Sequence, residues 1–408
     1  MTHRTVRTCH ARAMRWVRVC ACAGGMITGC RSAIAPDDGD GGHADIVATT
    51  GTAPDRLLLV NGTSGRVTNR LDVGGRVEGL ASAPDGSVLY AGVAGAGFRQ
   101  SLVALDARTG RTLWMLPLSE NGRPNVVDDI GLLTGEILAA SSDNRRLYVA
   151  RSLQGGIGGI AVLDLTSRRP VAFTGPWNVA AGGLVSLGAD PTIPLLRDGV
   201  IVLVASRQNS AGGGRRTGER VYFLAPTTLA VLDSITPDAL GGSTTQGIWQ
   251  IVPAPDGRSL YVGGSQRVAR YDFATRSVTA SVARPSLGAV TVTGDGSAVI
   301  MTDGGSWPDS PGSGLLFVYG PDLAAHGTID VSTPMGNTPR SPTATATGVG
   351  VSWPSGRVLY LRAGTEAIGP LFPPQQARLL AVDVLERRLL RAVDLGGYGF
   401  GPLVRGSP

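Results

Sequence analysis

The residue types that most catalytic mechanisms need are scarce in this chain of 408 residues. It contains four His, four Cys and no Lys, so all 37 basic residues are Arg. Without a Lys amine, Schiff-base chemistry and the Walker-type phosphate loop lose their central group. His3, His10 and His43 lie near the N-terminus, and His326 lies in a predicted surface turn. These positions disfavour Ser/His/Asp hydrolysis and His-ligated zinc or copper.

Carboxylate chemistry, or calcium held by Asp and backbone carbonyls, remains compatible with the composition. The adjacent Asp128 and Asp129 are interpreted as a solvated turn in preference to a metal or acid/base pair. Exposed aromatic and Arg side chains are typical of binding surfaces. The sequence predicts no catalytic residue, metal or cofactor. The candidate ligand- or partner-binding residues are Asp128, Asp129, Trp177, Arg207, Arg215, Trp307, Asp309 and Arg340.

A repeated strand–turn–strand unit must position these residues. Each copy combines a tight turn with a following Leu-Tyr-Val-like strand, and the turn Asp and Gly are interpreted as structural, because Asp caps such turns and Gly takes positive φ. The clearest copies begin at Pro84, Ser142, Pro255 and Pro354, and weaker ones begin at Arg197 and Gly294.

A second unit alternates with the first, and residues 102–114 are its clearest copy. Each second unit is strand, polar turn, strand, so one repeat contains four antiparallel strands, called A to D. Six A–B pairs and seven C–D pairs can be counted. Residues 45–50 and 401–408 supply a spare B strand and a spare A strand. Joining them predicts an all-β propeller of seven blades over residues 45–408, closed by its terminal strands.

The Pro-Asp-Gly and Leu-Tyr-Val units resemble the YVTN-type propeller repeat, which is similar to WD-repeat and quinoprotein-type propellers. Residues 104–114 also resemble the tryptophan-docking repeat of quinoprotein dehydrogenases and of an outer-membrane assembly propeller lipoprotein. In that family the Trp locks neighbouring blades, so the resemblance implies a packing role for Trp114. It implies a fold more than an activity, because propellers host many functions.

Alternating strands place the A–B and C–D turns on one face of the propeller and the B–C and D–A loops on the other. The first kind is predicted to be uniformly short, and the second kind carries nearly every insertion. Binding residues concentrate on loops held by a rigid scaffold. We therefore expect the candidate residues to share one face, although each Trp has packing between blades as an alternative role.

The N-terminus has the pattern of an export signal. Five Arg and no acids lie in residues 1–29, a short apolar run follows Arg18, and Ile27-Thr28-Gly29 precede Cys30. This arrangement resembles a bacterial lipoprotein box, which predicts a signal peptide over 1–29, a lipid on Cys30 and a flexible tether over 30–44. The rest of the chain has 32 basic and 31 acidic residues, so no nucleic-acid partner is expected.

The sequence thus predicts an exported, membrane-anchored scaffold, periplasmic or at the cell surface. Its expected partner is an envelope protein, a glycan or a small ligand on the long-loop face. The alternative is a propeller enzyme. That enzyme would be a carboxylate- or calcium-dependent lactonase-like or lyase-like protein, or a quinoprotein dehydrogenase.

Overall fold

The computed structural model describes the repeat region in segments separated by gaps. The described residues are 46–49, 56–61, 66–95, 100–120, 123–124, 132–152, 158–174, 178–206, 220–236, 238–240, 248–264, 267–283, 287–303, 314–331, 344–346, 351–352, 358–365, 377–394 and 403–405.

The strands of these segments form antiparallel sheets, which we number I to VII along the chain. Sheet I contains β1 (Ile46–Thr49), β2 (Arg56–Val60), β3 (Val67–Asp72) and the last strand, β30 (Leu403–Arg405). Sheet II contains β4 (Arg76–Ser82), β5 (Val88–Ala94), β6 (Gln100–Asp106), β7 (Thr112–Glu120) and β8 (Arg123–Pro124). Sheet III contains β9 (Leu132–Ala140), β10 (Arg146–Ser152), β11 (Gly158–Asp164) and β12 (Arg169–Thr174).

The later sheets repeat the same plan. Sheet IV contains β13 (Asn178–Leu187), β14 (Val200–Ser206), β15 (Arg220–Leu224) and β16 (Val231–Ile235). Sheet V contains β17 (Ile248–Pro253), β18 (Ser259–Gly264), β19 (Arg267–Asp272) and β20 (Ser277–Ala283). Sheet VI contains β21 (Leu287–Val292), β22 (Val299–Asp303), β23 (Leu315–Tyr319) and β24 (Ala325–Asp330). Sheet VII contains β25 (Ala344–Ala346), β26 (Val351–Ser352), β27 (Val358–Thr365), β28 (Ala377–Asp383) and β29 (Arg388–Asp394).

Within the described residues, six sheets consist of consecutive strands, and sheet I combines the first three strands with the last one. In sheets II to VII the first strand is innermost, and in sheet I the innermost strand is β30. These inner strands contact one another in the order β4, β9, β13, β17, β21, β25 with β26, and β30, and β30 contacts β4. Four-stranded sheets arranged around a centre are a β-propeller, so the prediction of an all-β propeller is confirmed.

Apolar clusters join each sheet to the next. Among the described residues, such clusters lie between sheets I and II, II and III, III and IV, IV and V, V and VI, and VI and VII. A further cluster joins sheet VII to sheet I through Tyr360, Leu379, Leu58 and Val60. Every sheet therefore has apolar neighbours on both faces, which explains why the middle strands are almost continuously apolar.

Backbone pairing brings the two ends of the described region together. Strand β1 pairs antiparallel with β30, so that Val47 lies opposite Val404 and Ala48 lies opposite Leu403. On its other side β1 pairs with β2. The C-terminal strand thus occupies the innermost position of the sheet that begins the chain.

This register can be tested with a cysteine pair. Directly opposite residues of antiparallel strands have Cα atoms about 4.5–5.5 Å apart, which suits a disulfide. In a chain starting at residue 31, which has no other Cys, we expect V47C/V404C to crosslink on oxidation. The crosslink should stabilise the fold by about 2–4 kcal/mol, because it restricts the unfolded chain.

The matched control is V47C/L403C. Neighbouring residues of a strand point to opposite faces, so this pair should not crosslink. Mobility on a non-reducing gel and the melting temperature of the oxidised protein are the measurements. Equal crosslinking of both pairs would contradict the register.

Candidate binding faces

The alternating strand directions give each sheet two distinct ends. We call "turn end" the end that carries the connections from first to second and from third to fourth strand. The "loop end" carries the connections from second to third strand and from each sheet to the next. Segments 207–219, 304–313 and 366–376 each join a second strand to a third strand, so their connections start and finish at the loop end.

All the candidate residues predicted from the sequence fall in connections of the loop end. Segments 125–131, 175–177 and 332–343 join one sheet to the next at that end. The residues themselves lie outside the described part of the chain, so their contacts remain predictions. These residues are Asp128, Asp129, Trp177, Arg207, Arg215, Trp307, Asp309 and Arg340, and Cys30 is likewise outside.

The inner strands share an irregularity near the loop end. Register shifts occur early in β4 (between Val77 and Gly79), β13 (Val179 and Leu184), β17 (Ile248 and Gln250) and β21 (Leu287 and Val290). Strand β9 shifts between Leu133 and Leu138, also near its start. Bulges of this kind redirect side chains and are common at barrel rims and beside binding sites. Five inner strands therefore change their side-chain alternation at the same end of the propeller.

Glu78 occupies the bulge of β4. Its side chain is only 9% exposed, and its Oε1 lies 2.6 Å from Arg76 Nη2. Gln100 Nε2, on β6, donates a hydrogen bond of 3.4 Å to Glu78 Oε2. The sequence analysis did not single out this carboxylate, because one acidic residue in a short strand is a weak signal. Both carboxylate oxygens are thus engaged by side chains of the same sheet, so Glu78 helps to hold the bulge of β4.

Gln250 and Thr302 satisfy the backbone amides that the bulge of β21 leaves free. Gln250 Oε1 accepts a hydrogen bond of 2.8 Å from the N–H of Val290, which links sheet V to sheet VI. Thr302 Oγ1 accepts one of 2.6 Å from the N–H of Ala289. A buried backbone N–H must find a partner, so these two side chains hold the irregular strand and serve the scaffold. No group of three or more His, Cys, Asp or Glu suited to a metal occurs in the described segments.

The turn end carries Asp residues in structural roles, as the sequence predicted. Asp85 Oδ1 accepts a hydrogen bond from the N–H of Ser87, and Asp295 Oδ1 accepts one from the N–H of Ser297. Gly86 and Gly296 follow these Asp residues with φ of 70° and 73°. The N–H of Ser87 is the main reason why the pKa of Asp85 is below its ordinary value of 3.8.

One connection at the turn end is longer than the sequence analysis predicted. Residues 188–199 join β13 to β14 and include a single 3₁₀ turn at Pro194–Leu196. Residues 178–187 form β13, which is the innermost strand of sheet IV. Asp190, in the long connection, pairs at 3.7 Å with Arg258 of sheet V. Sheets IV and V therefore interact through charged side chains at this end.

The repeated Tyr residues explain why the unit recurs. Tyr148 of sheet III donates a 3.0 Å hydrogen bond to the carbonyl of Pro226 in sheet IV. Tyr261 of sheet V donates one of 2.8 Å to the carbonyl of Pro321 in sheet VI, and Tyr90 of sheet II reaches Asn144 Oδ1 of sheet III. Burial raises the pKa of Tyr90 and Tyr148 to about 12, so both hydroxyls stay protonated donors. Each Tyr thus fastens its own sheet to the turn end of the next sheet.

Trp114 has the packing role that its sequence context implied. It packs against the apolar cluster between sheets II and III, and its ring lies 6.1 Å from that of Tyr90. The guanidinium carbon of Arg168, from sheet III, lies 5.6 Å from the Trp114 ring centroid. A cation at this distance over a Trp ring is attracted by its π electrons. His326, which the sequence placed in a turn, lies in β24 directly after that turn.

Comparisons with known proteins show distant likenesses of structure. No family model and no curated protein sequence matches the chain. A chain of a mitotic checkpoint complex is 14% identical over 78% of this chain and 81% of its own length, with a TM-score of 0.49. BamB from Moraxella catarrhalis is 15% identical over 87% and 89%, with a TM-score of 0.45. The C-terminal WD40 domain of Sif2 is 10% identical over 76% and 72%, with a TM-score of 0.46.

Likenesses this distant carry no argument about function, and the fold rests on the sheets and their packing. Within the described segments, no helix is long and apolar enough to cross a membrane.

The Asp turns predict a specific dependence of stability on pH. Hydrogen bonds from the N–H and hydroxyl of Thr109 hold the pKa of Asp106 below 3.8. A carboxyl group whose pKa is lower in the folded state stabilises the fold at pH values above its unfolded-state pKa. That stabilisation is lost as the pH falls through the folded-state pKa. We expect D106N to keep the turn, because the Asn oxygen still accepts these bonds, but to lose this part of the acid sensitivity.

The measurement is the melting temperature of D106N and of the unaltered protein between pH 7 and pH 2. The difference in melting temperature between the two proteins should be largest near neutral pH and should decrease below pH 3.8. A difference in melting temperature that stays constant across this pH range would contradict the assignment of the Asp106 carboxylate as the titrating group.

Proposed function

We propose that this protein is a binding scaffold whose loop end takes a partner protein of the cell envelope. The main observation behind this proposal is that five inner strands have bulges near the loop end. The long connections between strands start at the same end. Bulges of this kind redirect side chains and are common beside binding sites. A rigid core with elaborated connections at one end is the usual arrangement of a recognition surface.

The scaffold is one ring of seven blades, closed by hydrogen bonds between its first and last strands. Two observations support this proposal. Strand β30 pairs with β1, and an apolar cluster joins sheet VII to sheet I. A closed ring has no exposed inner strand edge, so the inner strands cannot pair with other chains. Such a frame holds the loop end in one geometry, which reduces the entropy lost on binding.

The binding surface includes Trp177, Trp307, Arg207 and Arg215, with Asp128, Asp129, Asp309 and Arg340 around them. Their connections all start from the loop ends of described strands. Trp and Arg side chains supply most of the binding free energy at protein interfaces, because they bury large surfaces and form several hydrogen bonds.

The scaffold is held at a membrane by a lipid on Cys30. The basic and apolar segments before Cys30, together with the small residues that directly precede it, support this proposal. A tether over residues 30–44 would let the propeller reach partners away from the bilayer surface.

Variants of the loop-end Trp residues test the binding proposal. For a partner identified by crosslinking and then purified, W177A or W307A should weaken binding by roughly 30-fold, because losing an aromatic anchor costs about 2 kcal/mol. The dissociation constant measured by calorimetry decides the outcome.

H326A, at the turn end of sheet VI, is the matched control and should bind normally. Each variant must first show an unchanged melting temperature, because a Trp packed between sheets would fail by unfolding. Normal binding by both folded Trp variants would refute the assignment of the loop end.

The C30A variant tests the anchor. Because stable attachment through one terminal segment needs its acyl chains, we expect C30A to move from the detergent phase to the aqueous phase on phase separation. Mass spectrometry of the unaltered protein should show residue 30 as an acylated N-terminus. An unmodified Cys30, or a C30A protein that stays in the detergent phase, would contradict the proposal.

A further inference from the structure

The first described strand starts at the turn end of its sheet. Strand β1 begins at Ile46, which lies opposite Val60 of β2. Val60 in turn lies opposite Val67 of β3. Counted outward from β30, β2 and β3 are the third and fourth strands of sheet I, so the connection between them belongs to the turn end. The segment that precedes Ile46 therefore leaves β1 at the turn end.

The position of β1 inside sheet I restricts where that segment can lead. Strand β1 lies between β30 and β2. Apolar clusters join sheet I to sheet II on one face and to sheet VII on the other. The inner strands contact one another around the centre. A chain that leaves β1 at the turn end therefore reaches the loop end by the outer edge, past β2 and β3.

That route is longer than the average span of the proposed tether. Two strand spacings of about 4.8 Å separate β1 from β3, and a seven-residue strand such as β5 rises about 23 Å. The route thus exceeds about 30 Å before any loop-end connection is passed. A chain as long as residues 30–44 reaches about 50 Å only when fully extended, and an unstructured chain of that length spans about 21 Å on average. Holding the loop end against a bilayer would therefore cost chain entropy.

The proposed recognition surface lies at the opposite end from this attachment point. Segments 207–219, 304–313 and 366–376 all leave from the loop end, whereas the segment before Ile46 leaves from the turn end. A binding surface must be clear of the bilayer to receive a folded partner. With the turn end toward the membrane, the connections of the loop end meet that condition.

We propose that the tether orients the propeller with its turn end toward the bilayer and its loop end away from it. The partner of the loop end is then a soluble protein or a soluble domain, held at least one strand length, about 23 Å, from the lipid headgroups. This inference rests on the proposed lipid anchor at Cys30 and adds the direction in which the binding surface is presented. The tether sets the orientation, so no affinity of turn-end side chains for lipid is required.

Two exposed alanines next to sheet IV can report the orientation. Ala189 lies at the turn end, in the connection between β13 and β14, and Ala239 lies at the loop end, in the connection between β16 and β17. All four Cys of the chain lie within residues 1–30. In the mature protein acylated at Cys30, A189C or A239C therefore supplies the only free thiol for a donor dye.

The measurement is energy transfer from this dye to acceptor dyes on the headgroups of vesicles that contain the protein. The loss of donor fluorescence should be larger for A189C than for A239C, because transfer falls steeply with distance. Both variants must keep the melting temperature of the unaltered protein. Equal losses, or a larger loss for A239C, would overturn the proposed orientation.

A longer tether is the matched control. Inserting about 30 Gly and Ser residues after Asp38 raises the average span of the tether to roughly 37 Å, which is enough for the loop end to reach the bilayer. The difference between A189C and A239C should then shrink. If it stays unchanged, the tether does not set the orientation and the proposal is wrong.

A second form of attachment separates this inference from the proposed anchor. A chain with a His tag directly before residue 31 can be held on vesicles by nickel-chelating lipids, without any acyl group. The larger loss of donor fluorescence for A189C should appear in this form as well, even if mass spectrometry finds Cys30 unmodified. An unmodified Cys30 would then refute the anchor alone, whereas equal losses in the tagged form would refute the orientation.

Discussion

The structure depends on one constraint, which is that each middle strand buries both of its faces against neighbouring sheets. Strand β14 shows this most clearly. Ile201, Leu203 and Ala205 pack toward sheet III, whereas Val200, Val202 and Val204 pack toward sheet V. No sheet can bury both faces alone, so each sheet is stable only between two neighbours. Strand β1 pairs with β30 on one side and with β2 on the other.

Hydrogen bonds between neighbouring sheets fix the relative positions that apolar packing alone does not define. Tyr90, Tyr148 and Tyr261 each place a ring in the buried layer and a hydroxyl at the turn end of the following sheet. The apolar ring contributes buried area, and the hydroxyl needs a partner once it is buried. Since that partner lies in the next sheet, the hydrogen bond fixes the relative position of two sheets.

The same constraint determines where chemistry can occur. Side chains in the middle of a sheet are committed to packing, so recognition is confined to the strand ends and to the outer strands. At the turn end, short Asp turns use their carboxylates internally. At the loop end, bulges interrupt the regular side-chain alternation of the inner strands, and Glu78 lies in one of these bulges.

The sequence by itself determined the repeat, its strand types and the Asp turns, because hydrophobic period and turn chemistry are local properties. It also located the two terminal segments that become β1 and β30, since an unmatched half-repeat stood at each end. It placed Trp114 correctly through a local motif. Only the tertiary structure revealed the hydrogen bonds of Glu78, the partners of the repeated Tyr residues, and the long connection between β13 and β14. Bulges, contacts between sheets and exposure depend on residues far apart in the chain, and no local pattern records them.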